Sequence, residues 1–159
     1  MIKAILACDE SWGIGKDGGL PWPHNSADMK WFKDTTTGCV VVMGKSTWDS
    51  LPTKPLPNRN NIVVTSSEQD KDKGGYHYIK FDKAAIELTN MNRLQDVWII
   101  GGAKLVTGLF SIIDEFHLSR ISGSYECDTF LPSTLIEENF TLTESGHKDG
   151  VYVDVWSRL

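Results

Sequence analysis

The sequence predicts an α/β fold, a single domain with a mostly parallel central sheet flanked by helices and an antiparallel C-terminal edge hairpin. Three observations carry this reading. Short apolar runs alternate with helix-like stretches as far as residue 121. Two of those runs end in glycine and pass straight into a helix. The stretch 140–159 alternates like two strands about a turn at "HKDG".

In chain order, "IKAILAC" (2–8) is a buried strand, and "DESWGIGKDGGLPWP" (9–23) is a long irregular loop with four glycines and two prolines. Trp12, Ile14, Leu20 and Trp22 argue against disorder there, because that apolar surface needs a partner. Ser26 caps a helix over 27–36, ended by "TTTG". "CVVVMG" (39–44) is a strand running into a short helix "KSTWDSL" (45–51), closed by Pro52. After the Pro-rich loop 53–60, "NIVVTSS" (61–67) is a strand, "EQDKDKGG" (68–75) a polar turn and "YHYIKF" (76–81) a strand. Asp82 caps an amphipathic helix over 82–92. "DVWIIGG" (96–102) and "AKLVTGLF" (103–110) repeat the strand–glycine–helix pattern, and "DEFHLSRI" (114–121) is a strand. No repeat or composition shift divides the 159 residues, so the whole of 1–159 reads as one domain.

Net charge is −5, which argues against a nucleic-acid partner while leaving room for a local basic pocket. Three cysteines, Cys8, Cys39 and Cys127, show no CxxC spacing, so neither a metal site nor a disulfide framework is expected. Cys8 and Cys39 adjoin apolar runs and read as small hydrophobes, and a reduced, cytoplasmic setting is expected. No apolar run suits a signal peptide or a membrane span. The absence of an apolar repeat suggests a monomer.

"GGLPWPHNSADMKWF" (18–32) poses a question. On a helix, Asp28 shares a face with Trp31 and Phe32, three and four residues on. Turning an unpaired carboxylate inward is costly, so the spacing raises the question of what the acid would meet there, against the alternative of an ordinary exposed helix Asp. Elsewhere, Gly44 and Gly101–Gly102 let backbone approach a ligand at helix N-termini, and Lys45 and Lys104 follow closely. Neither junction is GxGxxG or a P-loop, so phosphate binding and plain packing both stay open.

The segments "IKAILACDESWGIGKDGGLPW", "ADMKWFK", "VVVMGKSTWDSLP", "PLPNRNNIVVTSS", "VWIIGGAKL" and "CDTFLP", in this order as far as Pro132, resemble the dihydrofolate reductase family. The resemblance implies reduction of 7,8-dihydrofolate to 5,6,7,8-tetrahydrofolate by NADPH, serving one-carbon metabolism and nucleotide synthesis. It implies that Asp28 holds the pterin's amino group and ring N–H, and that Ile5, Ala7, Leu20, Phe32, Leu56 and Ile100 wall the folate site. Arg59 then binds the α-carboxylate of the glutamate tail, and Ser119 stands where a Thr bonds the acid. Ala7, Ile14, Gly15, Leu20, Trp22, Gly44, Lys45, Ser46, Thr47, Ser66, Ser67, Ile100, Gly101, Gly102, Ala103, Lys104 and Leu105 fall on cofactor-contact positions. The Gly101–Gly102 bond matches a cis peptide.

The pattern departs from the family at four places. Val106 stands where bacterial members often carry Tyr, Asn58 replaces a glycine, Lys54 lengthens its loop, and one extra residue separates Trp22 from Asp28. Asn58 then has to adopt a left-handed backbone, which Asn tolerates well.

A carboxylate suits a pterin because it accepts two parallel N–H donors in a fork, and dry surroundings strengthen the pair. Burial should raise the Asp28 pKa. None of His24, His77, His117 and His147 is placed to act as an acid, so the proton comes from water. The 9–23 loop acts as a lid with Leu20 and Trp22 as its inner face. Lys45, Ser46, Ser66 and Lys104 around a 2′-phosphate favour NADPH over NADH, since NAD sites place an acid there. Two rivals remain: a reductase of another pteridine or a riboflavin-pathway intermediate, and a nucleotide-binding module without turnover.

Overall fold

The structure is a computed structural model that describes residues 1–66 and 76–159. Ser67 and the polar turn expected over 68–75 lie outside the described residues. In chain order the elements are β1 (Ile2–Cys8), β2 (Gly13–Gly15), α1 (Ser26–Thr36), β3 (Val40–Gly44), α2 (Lys45–Ser50), β4 (Asn60–Thr65), β5 (Tyr76–Lys80), α3 (Phe81–Met91), β6 (Val97–Gly101), α4 (Ala103–Gly108), β7 (Glu115–Arg120), β8 (Thr129–Phe130), α5 (Ser133–Asn139), β9 (Phe140–Lys148) and β10 (Val151–Arg158). Eight strands form one sheet in the order β5-β4-β3-β6-β1-β7-β10-β9. The first six in that order run parallel, and β10 and β9 join antiparallel.

Strand alternation divides the core between the two sheet faces. Ala4, Leu6, Cys8, Val40, Val42, Ile99 and Leu118 pack with Leu105, Val106 and Leu109 on one side. On the other, Val41, Met43 and Val63 meet Trp48, while Val151, Val153 and Val155 meet Ala27 and Trp31 of α1. The hairpin turns on Asp149 and Gly150, both left-handed at φ 51° and 86°, the two-residue geometry that matches strand twist. Gly101–Gly102 is cis and Asn58 has φ 59°, as the resemblance implies.

Several boundaries differ from the sequence reading. Asn25, not Ser26, caps α1: its Oδ1 accepts from the Asp28 N–H at 3.0 Å, and Ser26 is already inside the helix. Lys80 precedes α3 without a side-chain cap bond, and Asp82 lies in the first turn, where a negative charge suits the helix dipole. The 9–23 loop is not wholly irregular, because β2 pairs with β8. A three-residue strand is too short to reveal its period. Helix α5 was not foreseen; only Ile136 of its seven residues is buried, so it has no apolar stripe.

Candidate active site

Asp28 stands in the first turn of α1, held there by the Asn25 cap. Its row on the helix continues with Phe32, while the neighbouring Ala27 and Trp31 pack onto β10. The two aromatics therefore split, with Trp31 in the packing layer and Phe32 beside the acid's row. Asp28 Oδ1 is buried and, among the described residues, has no hydrogen-bond partner. Burial raises the Asp28 pKa above its ordinary value, and the hydroxyl of Ser119 pulls it part of the way back. That hydroxyl approaches without a well-formed bond, since Ser119 Oγ is also buried and unpartnered. The register puts Ser119 beside Ala7 of β1 and Val153 of β10, so the acid looks onto the centre of the sheet.

Arg59 reaches the same helix from the loop before β4. Its Nη1 donates to Thr36 Oγ1 at 3.0 Å, its Nε donates to the Pro57 carbonyl at 3.0 Å, and its guanidinium lies 5.8 Å from the Phe32 ring centre. Partial burial lowers its pKa, so an anionic partner would repay lost hydration. Asn61 holds this loop. Its buried amide accepts from Leu56 N at 2.9 Å and donates to the carbonyls of Leu56 and Arg59 at 3.0 and 3.1 Å. Leu56 and Ile100 pack against the cluster of Val41, Met43, Trp48 and Val63.

The glycine-ended strands deliver a second constellation. β4, β3 and β6 are neighbours, and their carboxyl ends gather there: Gly44 lies opposite Val64, two residues before Ser66, and Gly101 lies opposite Met43. Ligands of open α/β sheets bind outside such ends. Helices α2 and α4 start from Gly44 and Gly102, and neither has a side-chain cap hydrogen bond. Among the described residues, a Cβ on Gly44 would meet nothing within 4 Å, and one on Gly102 would meet only Thr47 Oγ1, at 3.5 Å. Lys45 forms an exposed pair with Asp49 at 2.6 Å, and Ser46, Ser66 and Lys104 are exposed.

The 9–23 loop is built around a buried carboxylate. Asp9 accepts from the N–H groups of Ser11, Gly13 and Tyr125 at 2.8–3.0 Å and from the Cys127 thiol at 3.4 Å. Burial alone would raise its pKa, but these bonds outweigh it and the pKa falls. Gly13 is obligatory, because a Cβ there would lie 2.6 Å from Cys127 Cβ. Asp128 holds the other side: its N–H donates to the Gly15 carbonyl at 3.0 Å, and its Oδ2 accepts from Asp17 N at 2.9 Å. The tip turns tightly on Asp17 and Gly18, closed by Lys16–Gly19 backbone bonds of 3.0 Å.

A family model for dihydrofolate reductase matches residues 1–151. The chain belongs to the dihydrofolate reductase family. It is 37% identical over 151 residues to a dihydrofolate reductase of Bacillus subtilis, covering 94% of this chain and 86% of that one. It is 34% identical to the Sus scrofa enzyme over 158 residues, covering 90% and 85%. A solved Enterococcus faecalis dihydrofolate reductase, complexed with NADP(H) and RAB-propyl, superposes with TM-score 0.82 at 29% identity, covering 99% and 96%.

The structure of this family member gathers Ile5, Ala7, Asp28, Phe32, Leu56, Arg59, Ile100 and Ser119 on the α1 side of the sheet. One expectation needs correction. Leu20 and Trp22 do not share an inner face: Leu20 is 68% exposed, whereas Trp22 is buried with its ring edge-on to Tyr125 at 6.1 Å. The Leu105 side chain lies in the core with Val106, in the first turn of α4. His117 is a strand residue, half-buried on β7 and 2.9 Å from Glu115, and burial lowers its pKa. The sequence reading missed Asn61, Asp9 and Asp128. A hint existed for the first, since Asn is rare inside an apolar strand. Cys8 is buried and its thiol is pushed up to about 12, the state of an inert core residue.

Proposed function

We infer that Asp28 is the residue that grips the pterin in an NADPH-dependent dihydrofolate reductase. The chain reduces 7,8-dihydrofolate to 5,6,7,8-tetrahydrofolate and so feeds one-carbon metabolism and nucleotide synthesis. The observation that carries the assignment is the buried, unpartnered Oδ1 of Asp28. A carboxylate in that state binds an edge bearing two N–H donors more strongly than water does. Ile5, Phe32, Leu56 and Ile100 flank the heterocycle with apolar surface, Ser119 steadies the acid, and Arg59 receives the glutamate α-carboxylate.

The residues fit a dinucleotide. The open space at Gly44 and the uncapped amides at the starts of α2 and α4 suit a pyrophosphate. Lys45, Ser46, Ser66 and Lys104 supply the cations and hydroxyls for a 2′-phosphate. When bound, NADPH supplies the hydride that adds to C6 of the pterin. Asp28 orients the ring and stabilises positive character on it, which favours protonation of N5 from water. Ile14, Gly15 and Trp22 hold the loop side of the cofactor and limit water access. We read residues 1–159 as one domain acting as a monomer in the cytoplasm. Among the described residues, no helix is long and apolar enough to cross a membrane.

The test is the near-ultraviolet absorbance of NADPH in the presence of chain and dihydrofolate. Loss of absorbance with equimolar tetrahydrofolate is expected. NADPH binding without oxidation, or oxidation only with another pteridine, defeats the reading.

A further inference from the structure

Trp12 is a left-handed residue that is not glycine. Its φ is 67°, and for a bulky side chain that conformation is unfavourable unless its surroundings impose it. The surroundings here are specific. The Arg120 guanidinium lies 4.7 Å from the Trp12 ring centre, and the Trp156 ring packs on it at 5.8 Å with a 53° tilt. Arg120 is itself fixed: its Nη1 donates to Cys8 Sγ at 3.3 Å and its Nε lies 3.9 Å from Asp154 Oδ2. Asp154 is anchored in turn, because its Oδ1 accepts from Ser145 Oγ at 2.6 Å. A chain of contacts therefore runs from β9 through β10 and β7 to Trp12, and β2 begins at the next residue.

We propose that Arg120 is a positioning residue for the cofactor side of the active-site loop, acting through Trp12. The Trp12 carbonyl accepts from Leu131 N at 3.0 Å, Gly13 N donates to Asp9, and the Gly15 carbonyl accepts from Asp128 N. These bonds fix β2 against β8 and with it Ile14 and Gly15. A cation over an indole face stabilises both partners, more so when water is partly excluded. With Arg120 removed, the left-handed backbone at Trp12 loses its support and β2 loosens. The proposal rests on the cofactor-side reading of Ile14 and Gly15, and its first readout needs no cofactor.

The experiment compares wild type, Arg120→Met, Arg120→Lys, Trp12→Leu and the double variant Arg120→Met/Trp12→Leu. Amide exchange of the free protein is read at Gly13, Asp128 and Leu131, with Val42 and Ile62 as controls, and NADPH affinity is measured by titration. Each single loss should speed exchange at the three loop amides, and weaken NADPH, about three- to tenfold, leaving the controls unchanged. Arg120→Lys should recover most of this, and the double variant should be no worse than the worse single one. Trp12→Leu keeps the Arg120–Asp154 pair and covers the case in which Arg120→Met fails to fold. Unchanged loop exchange, equal acceleration at the controls, or additive effects in the double variant overturn the positioning role. Faster loop exchange with unchanged NADPH affinity overturns the cofactor-side reading and leaves the Arg120–Trp12 coupling standing.

Discussion

The hydroxyl of Ser119 on β7 lies against the carboxyl of Asp28 on α1, yet Ser119 Oγ and Asp28 Oδ1 both lack a completed hydrogen bond. A buried acid left in this state costs the free protein stability. It also leaves that acceptor open to a donor brought by a ligand.

Replacing Asp28 by Asn keeps the size and removes the charge. It should lower kcat/KM for dihydrofolate by about 10²–10⁴-fold near neutral pH, the usual range for losing a group that manages proton transfer. NADPH affinity, which the proposed function sets at the ends of β3, β4 and β6, should stay within about twofold of wild type. Steady-state kinetics and a separate NADPH titration check the two halves; an equal loss in both would remove Asp28 from the role given.

The same substitution should stabilise the fold. Burial raises the folded-state pKa of Asp28 above its ordinary value of 3.8. A group raised in this way favours folding below the ordinary value and loses that contribution as pH rises through its folded-state pKa. Near neutral pH the ionised acid is therefore a burden, and Asp28→Asn should melt higher than wild type. Thermal unfolding across acidic to neutral pH reads this directly: the gap should close as pH falls and be gone below 3.8. A gap independent of pH would mean that charge burial is not its origin.

Much of this site was legible before the fold was known, and the reasons differ residue by residue. Asp28 stood out because a helical period sets it beside aromatic residues. Gly44 and Gly101 stood out because apolar runs ended on them. Asn61, Asp9 and Asp128 work through bonds to backbone distant in sequence or set by loop geometry, and nothing in spacing alone encodes those. The opposite fates of Leu20 and Trp22 follow from a tertiary contact, Trp22 with Tyr125, between segments a hundred residues apart.

Arg59→Ala should weaken dihydrofolate binding about 10- to 100-fold, the scale of a charge-assisted hydrogen bond pair. A pterin without the glutamate tail should bind almost equally to both proteins, because Arg59 touches α1 through Thr36 and Phe32 rather than through Asp28. Competition binding with the two ligands makes the comparison. A similar loss for both would place the guanidinium elsewhere in the site.

Asn61→Ala probes how that arginine is aimed. The buried amide satisfies one N–H and one C=O of Leu56 and the carbonyl of Arg59, so truncation strands three backbone groups. A stranded buried group costs about 1–3 kcal/mol, so the variant should melt several degrees lower. Function should show a second, separable effect. With the 56–59 segment released, Arg59 and Leu56 lose their fixed positions, KM for dihydrofolate should rise at least about fivefold, and kcat should change less, because Asp28 sits on a different element. A melting loss with KM unchanged would assign Asn61 to stability alone.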